Sequence, residues 1–98
     1  MSCYRIVVME EIFCVIKGKV QRVGYRDYVL QAAAECDVTG WVKNESDGSV
    51  VACAQGTVDA LKAFVEYLHE GSVMSAVESV SVSWRSAEEV YDDFSLRR

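Results

Sequence analysis

The chain has 98 residues, 51% hydrophobic and 26% charged, ordinary proportions for one small globular domain with its own core. These proportions exclude a disordered acidic tail and a fibrous repeat, and no apolar run is longer than the five residues of Ile12 to Ile16, far short of the ~20 residues of a membrane span. Ten basic against fifteen acidic residues leave a net charge of −5, which disfavours nucleic acid and anionic lipid except where positive charges gather locally.

At the amino terminus, Arg5 and the short apolar stretch Ile6 to Met9 are cut off by Glu10 and Glu11 before they can serve as a signal-peptide core. The cytoplasm is therefore the expected compartment, and residues 1–9 either lengthen the first strand or hang loose from it. From Tyr4 to Lys17 the chain is rich in Ile, Val, Phe and Cys without a helical stripe. The run Ile12 to Ile16 predicts a central strand buried on both faces, ended by Gly18.

Next comes a basic window. Lys17, Lys19, Arg22 and Arg26 fall within ten residues free of Asp and Glu, so the window carries +4 and leaves −9 on the rest of the −5 chain. Tyr25, Tyr28, Val29, Ala32, Ala33 and Cys36 then recur at helical spacing, predicting an amphipathic helix over about Gly24 to Asp37. Thr39 to Lys43 and Val50 to Ala54 read as strands, and Asp47-Gly48 between them signals an antiparallel hairpin. Thr57 is placed to cap a second helix, in which Asp59 complements the positive end and Val58, Leu61, Phe64, Val65 and Leu68 form the buried stripe. Gly71 stops that helix, and His69 in its last turn suits the helix dipole, a structural role. Val80, Val82 and Trp84 alternate with Ser79, Ser81 and Ser83, the period of a half-buried strand, and Phe94 and Leu96 suggest a short closing strand.

The resulting order, β-α-β-β-α-β plus a short last strand, predicts an α+β domain over residues 1–98. Its expected form is ferredoxin-like (split βαβ), an antiparallel sheet with two helices on one face. Cys3, Cys14, Cys36 and Cys53 lie 11, 22 and 17 positions apart, which fits no metal-binding or redox pairing and predicts no bound metal. In a reducing compartment such cysteines act as small buried hydrophobes.

The chemistry concentrates in Gly18-Lys19-Val20-Gln21-Arg22-Val23-Gly24-Tyr25-Arg26, where the first strand hands over to a helix. Backbone N–H groups of such a turn converge with those of the first helical turn into an anion cradle, and Gly18 and Gly24 permit close backbone approach. Arg26 adds a planar fork of donors for two phosphate oxygens.

This segment resembles the loop of the acylphosphatase family, Gly-x-Val-Gln-Gly-Val-x-[Phe/Tyr]-Arg. It matches every fixed position except Arg22, where the family has glycine. Gly40-Trp41-Val42-Lys43-Asn44 followed by Asp47-Gly48 matches the family's second motif, and the likeness extends over about residues 10 to 98. The resemblance implies that Arg26 binds the phosphate, that Asn44 orients the attacking water, and that the backbone of Lys19, Val20, Gln21, Arg22, Val23, Gly24 and Tyr25 forms the cradle. Gln21 and Val23 read as shapers of the loop rather than as chemical groups. The implied reaction is hydrolysis of an acyl phosphate to a carboxylate and inorganic phosphate, without metal or organic cofactor, with phosphate as product and inhibitor. An acyl phosphate expels a carboxylate, which needs no proton from an acid, so holding the phosphoryl group and placing water suffice. Arg22 opens an alternative, a non-catalytic anion-binding or regulatory module on the same scaffold. If that position requires a positive φ, a side chain there costs roughly 1–2 kcal/mol. An RNA-binding role is disfavoured by the net charge and by a third strand, Ser49 to Ala54, without basic residues or paired aromatics.

Overall fold

The computed structural model describes residues 9–98. Cys3 and, apart from Met9, the possible strand extension over residues 1–9 lie outside them. The elements run β1 (Glu10–Lys19), α1 (Tyr25–Cys36), β2 (Thr39–Asn44), β3 (Val50–Gly56), α2 (Val58–Glu70), β4 (Ala76–Ser86) and β5 (Phe94–Arg97). Every expected element is present, in the expected order. Among the described residues no helix is long and apolar enough to cross a membrane.

The five strands form one sheet in the order β4-β1-β3-β2-β5. Pairing is antiparallel except at one edge, where β5 runs parallel to β2 with Leu96 beside Val42. The expectation of a wholly antiparallel sheet is therefore corrected: the sheet is mixed. The segment after β4 crosses the end of the sheet before β5 enters, so β5 arrives at the β2 edge pointing the same way as β2.

One face of the sheet and the two helices enclose the core, in which Ile12, Cys14, Ile16, Val42, Ala52, Ala54, Leu61, Phe64 and Leu68 are buried. The helices earn their places by pattern: Val29, Ala32 and Ala33 from α1 and Leu61, Phe64 and Leu68 from α2 recur at three and four residues. Thr57 caps α2 as expected, its hydroxyl accepting from the Ala60 N–H at 3.2 Å.

The strand buried on both faces is β3, not β1. All residues of β3 are buried, whereas in β1 Phe13 and Val15 alternate as half-buried positions with the buried Ile12, Cys14 and Ile16. On the second face of β3, Cys53 lies between Phe13 and Trp41 with Arg85 against its Sγ, and Gln55 is covered by the segment between β4 and β5. There Gln55, fully buried, donates to Glu11 Oε1 at 2.8 Å and to the Glu89 carbonyl, and its Oε1 accepts from the Tyr91 N–H at 3.1 Å. Arg85 pairs with the same Glu11, so this buried carboxylate is fully partnered.

Gly18 does not end β1. The strand continues to Lys19 through a register shift between Lys17 and Gly18 against β4. A Cβ at Gly18 would lie 2.2 Å from the Ala76 carbonyl oxygen, so glycine there admits the close approach of β4 rather than of a ligand. Cys14 and Cys53 are buried free thiols, as expected for small hydrophobes, and burial pushes the Cys14 thiol up to about 12.

Candidate active site

The sheet register explains how two distant motifs meet. Val50 of β3 pairs with Ile16 of β1 on one side and with Asn44 of β2 on the other, so Ile16 and Asn44 stand level, two strand spacings or ~10 Å apart. Both β1 and β2 run antiparallel to β3, so their carboxyl ends share one end of the sheet. There β1 passes into the loop of residues 20–24, which bends back toward the end of β2 and opens α1 at Tyr25.

Loop and strand end enclose a pocket of about 170 Å³ lined by Val20, Arg22, Gly24, Tyr25, Arg26, Asp27, Asn44 and Leu96. Arg26 and Asn44, 18 positions apart in sequence, thus face one cavity. Of the seven residues expected to form the cradle, Val20, Arg22, Gly24 and Tyr25 reach its wall. Lys19, Gln21 and Val23 do not.

Each of those three has another task. Lys19 is the last residue of β1, paired with Ala76 in the ladder. Val23 packs half-buried on the core, and its carbonyl accepts from Ser72 Oγ at 3.2 Å. Gln21 donates through Nε2 to the carbonyls of Glu45 at 2.7 Å and Ser49 at 2.9 Å. These bonds fasten the loop to the β2–β3 turn directly after Asn44. Gln21 is a positioning residue, in keeping with the loop-shaping role read from the sequence.

Tyr25 lines the pocket from the start of α1. Its ring is buried, and its hydroxyl donates to the Leu68 carbonyl at 2.8 Å, tying the first turn of α1 to the last turn of α2. Burial, with Tyr28 and Cys14 beside it, holds that hydroxyl above its ordinary range, so it stays protonated.

Gly24 is the N-cap of α1 at φ 74°, in the left-handed region, and no side chain caps the helix. The amides of its first turn therefore remain available to an anion at the positive end of the helix dipole. Arg26 is the second residue of α1, half-buried, and among the described residues neither it nor Arg22 makes an ion pair. Asn44 Oδ1 is buried and has no hydrogen-bond partner among the described residues. An acceptor left open in a pocket wall can take a hydrogen bond from a group that enters the pocket.

Arg22 adopts φ 62°. The position does require the left-handed region, and the side chain there carries the strain expected of a non-glycine residue. It points to an exposed rim position, adding positive potential at the mouth.

Two wall residues were not expected. Leu96 reaches the pocket because β5 runs parallel to β2, a pairing that no residue pattern announces. Asp27 follows Arg26 on the first turn, where its sequence signal is an ordinary complement to the helix dipole.

The acylphosphatase family model matches residues 12–96. An acylphosphatase of Salinibacter ruber is 47% identical over 83 residues, covering 85% of this chain and 87% of that protein. The crystal structure of acylphosphatase from Bacillus subtilis superposes with a TM-score of 0.88 at 36% identity, over 91% of this chain and 99% of that one. An acylphosphatase structure from Coxiella burnetii gives 0.85 at 38% identity, over 91% and 93%.

Proposed function

Because this chain belongs to the acylphosphatase family and is an enzyme that hydrolyses acyl phosphates, we propose that its reaction runs in the pocket between α1 and the end of β2. Arg26 and Asn44 are its catalytic residues. The observation that carries this reading is their meeting in one cavity at a helix N-terminus without a side-chain cap.

The phosphoryl group sits on the amides of the loop and of the first turn of α1, with Arg26 gripping two of its oxygens. Charge on those oxygens is met by fixed donors, which cost no reorganisation as the transition state forms. Asn44 Oδ1 accepts a hydrogen bond from the attacking water and turns its lone pair toward phosphorus, opposite the acyl oxygen. The P–O bond to the acyl group breaks as the new P–O bond forms, the electron pair leaving on the carboxylate. A carboxylate is stable unprotonated, so neither a general acid nor a metal is required at the leaving side. Inorganic phosphate, the product, occupies the same cradle and inhibits. Nucleic acid and membranes are not among the partners, and the setting is a cytoplasmic, ferredoxin-like split βαβ domain spanning the chain.

Hydrolysis of benzoyl phosphate, followed by loss of its absorbance, tests the reading. Turnover is expected in the wild type and is expected to be the same in excess EDTA. Loss of activity in EDTA that a divalent ion restores overturns the metal-free reaction. An absence of turnover with phosphate still bound by calorimetry makes the chain an anion-binding module instead.

The strained residue in the cradle gives a further expectation. Arg22→Gly removes the side chain from a left-handed position, relieving roughly 1–2 kcal/mol of strain beside the amides that grip phosphate. Turnover should rise several-fold, while the salt dependence of kcat/KM flattens because one positive charge is gone from the rim. A turnover equal to that of the wild type shows that the strain does not reach the cradle.

A further inference from the structure

We propose that the groove formed by α1 and the α2–β4 connection beside the phosphate pocket receives the acyl group of the substrate, and that it favours uncharged, apolar acyl groups over those bearing a second carboxylate. The inference rests on the reading of the neighbouring pocket given above.

An in-line displacement sets the direction of the acyl group. Water and leaving group lie on opposite sides of phosphorus, so the carboxylate departs away from Asn44. An open groove of about 540 Å³ adjoins the pocket, sharing Gly24 and Asp27 with it, and its wall does not include Asn44. Tyr28, Glu70, Val73 and Met74 complete the part of the groove that matters here.

Val73 is 100% exposed and Met74 66% exposed, two apolar side chains that the core does not claim. They are nevertheless held in place. Ser72 donates to the Val23 carbonyl of the phosphate loop, and Ser75 returns to the Ser72 carbonyl through its N–H at 3.0 Å and its hydroxyl at 2.9 Å. The apolar tip is thus fastened to the loop whose residues line the phosphate pocket.

Charge changes sign across the two cavities. Arg22 and Arg26 line the phosphate pocket, whereas Glu70 lines the groove and Asp27 stands where the two join. The influence of Glu70 extends into the groove: the hydroxyl of Tyr28 is held above its ordinary value by burial and, next, by the Glu70 charge. An acyl phosphate whose only negative charge is on phosphorus matches this arrangement, and one with a distal carboxylate meets two like charges. The apolar tip in turn gains contact from an aromatic or longer aliphatic acyl group that an acetyl group is too short to provide.

The test compares kcat/KM for acetyl, benzoyl and succinyl phosphate in the wild type, in the double variant Val73→Ser/Met74→Ser, and in Glu70→Gln. All three positions are exposed, so the variants should fold, which circular dichroism checks. The double variant is expected to lower the benzoyl-to-acetyl ratio about three-fold or more. Glu70→Gln is expected to raise the succinyl-to-acetyl ratio about two-fold or more at low salt, an effect that fades as salt is added. If either ratio fails to move in an enzyme that still turns over acetyl phosphate, the groove is not the acyl site. Failure of the wild type to hydrolyse any of the three compounds would instead overturn the reading of the pocket on which the inference stands.

Discussion

Replacing Arg26 with alanine is expected to lower kcat/KM for benzoyl phosphate by two to three orders of magnitude, roughly 3–4 kcal/mol of lost transition-state stabilisation. The loss is large because nothing else in the pocket repeats what Arg26 does. Arg22 is cationic but lies exposed at the rim, while Arg26 is half-buried on the first turn of α1, where its charge is less screened and adds to the helix dipole. No acidic partner among the described residues competes for its guanidinium. Phosphate inhibition should weaken in parallel, since product and transition state share the same oxygens. Arg26→Lys keeps the charge and gives up the fork, so it should recover only part of the activity. Inhibition by phosphate that is unchanged in Arg26→Ala removes this residue from the site.

Asn44→Ala is expected to act differently, lowering kcat about a hundred-fold while phosphate binds within about two-fold of its wild-type affinity. The separation follows from position. Asn44 ends β2, across β3 from β1, and its buried Oδ1 has no hydrogen-bond partner among the described residues, so in the proposed reaction it holds water rather than phosphate. Asn44→Asp preserves the shape but sets a negative charge opposite the phosphoryl group, and should weaken phosphate binding as well as turnover. Measuring kcat and the phosphate inhibition constant on the same preparations distinguishes the two roles. A variant with normal kcat and greatly weakened phosphate binding reverses the assignment.

The residues proposed to do the chemistry are legible because both motifs are short and local. Gly40-Trp41-Val42-Lys43-Asn44 places Asn44 at a strand end, and the loop motif places Arg26 on a first helical turn, each readable from its own few residues. The departure at Arg22 was legible for the same reason, since a glycine position occupied by arginine is a statement about φ that the observed 62° answers. Less could be known of the walls. Which of residues 19–25 face the pocket depends on how the loop twists between two anchored ends, and alternate residues turned out to serve the ladder, the core and the hairpin instead. Leu96 depended on the direction in which β5 joins the sheet, a matter of tertiary route rather than of local pattern. The two-sided burial assigned to β1 belongs to β3 because part of its cover comes from far along the chain, where Arg85 reaches Cys53 and Tyr91 and Glu89 close over Gln55.

The pair of bonds from Gln21 to Glu45 and Ser49 fixes more than a loop position. Exposed hairpin tips are where domains ordinarily accept extra residues, and Ser46, Asp47 and Gly48 are all exposed. Here one amide spans both sides of the tip, acting as a caliper whose jaws are the carbonyls before and after it. Lengthening the tip by even a residue would open the caliper and let the loop after β1 drift from Asn44, so a solvent-washed turn of this molecule is also one whose length it is least free to change.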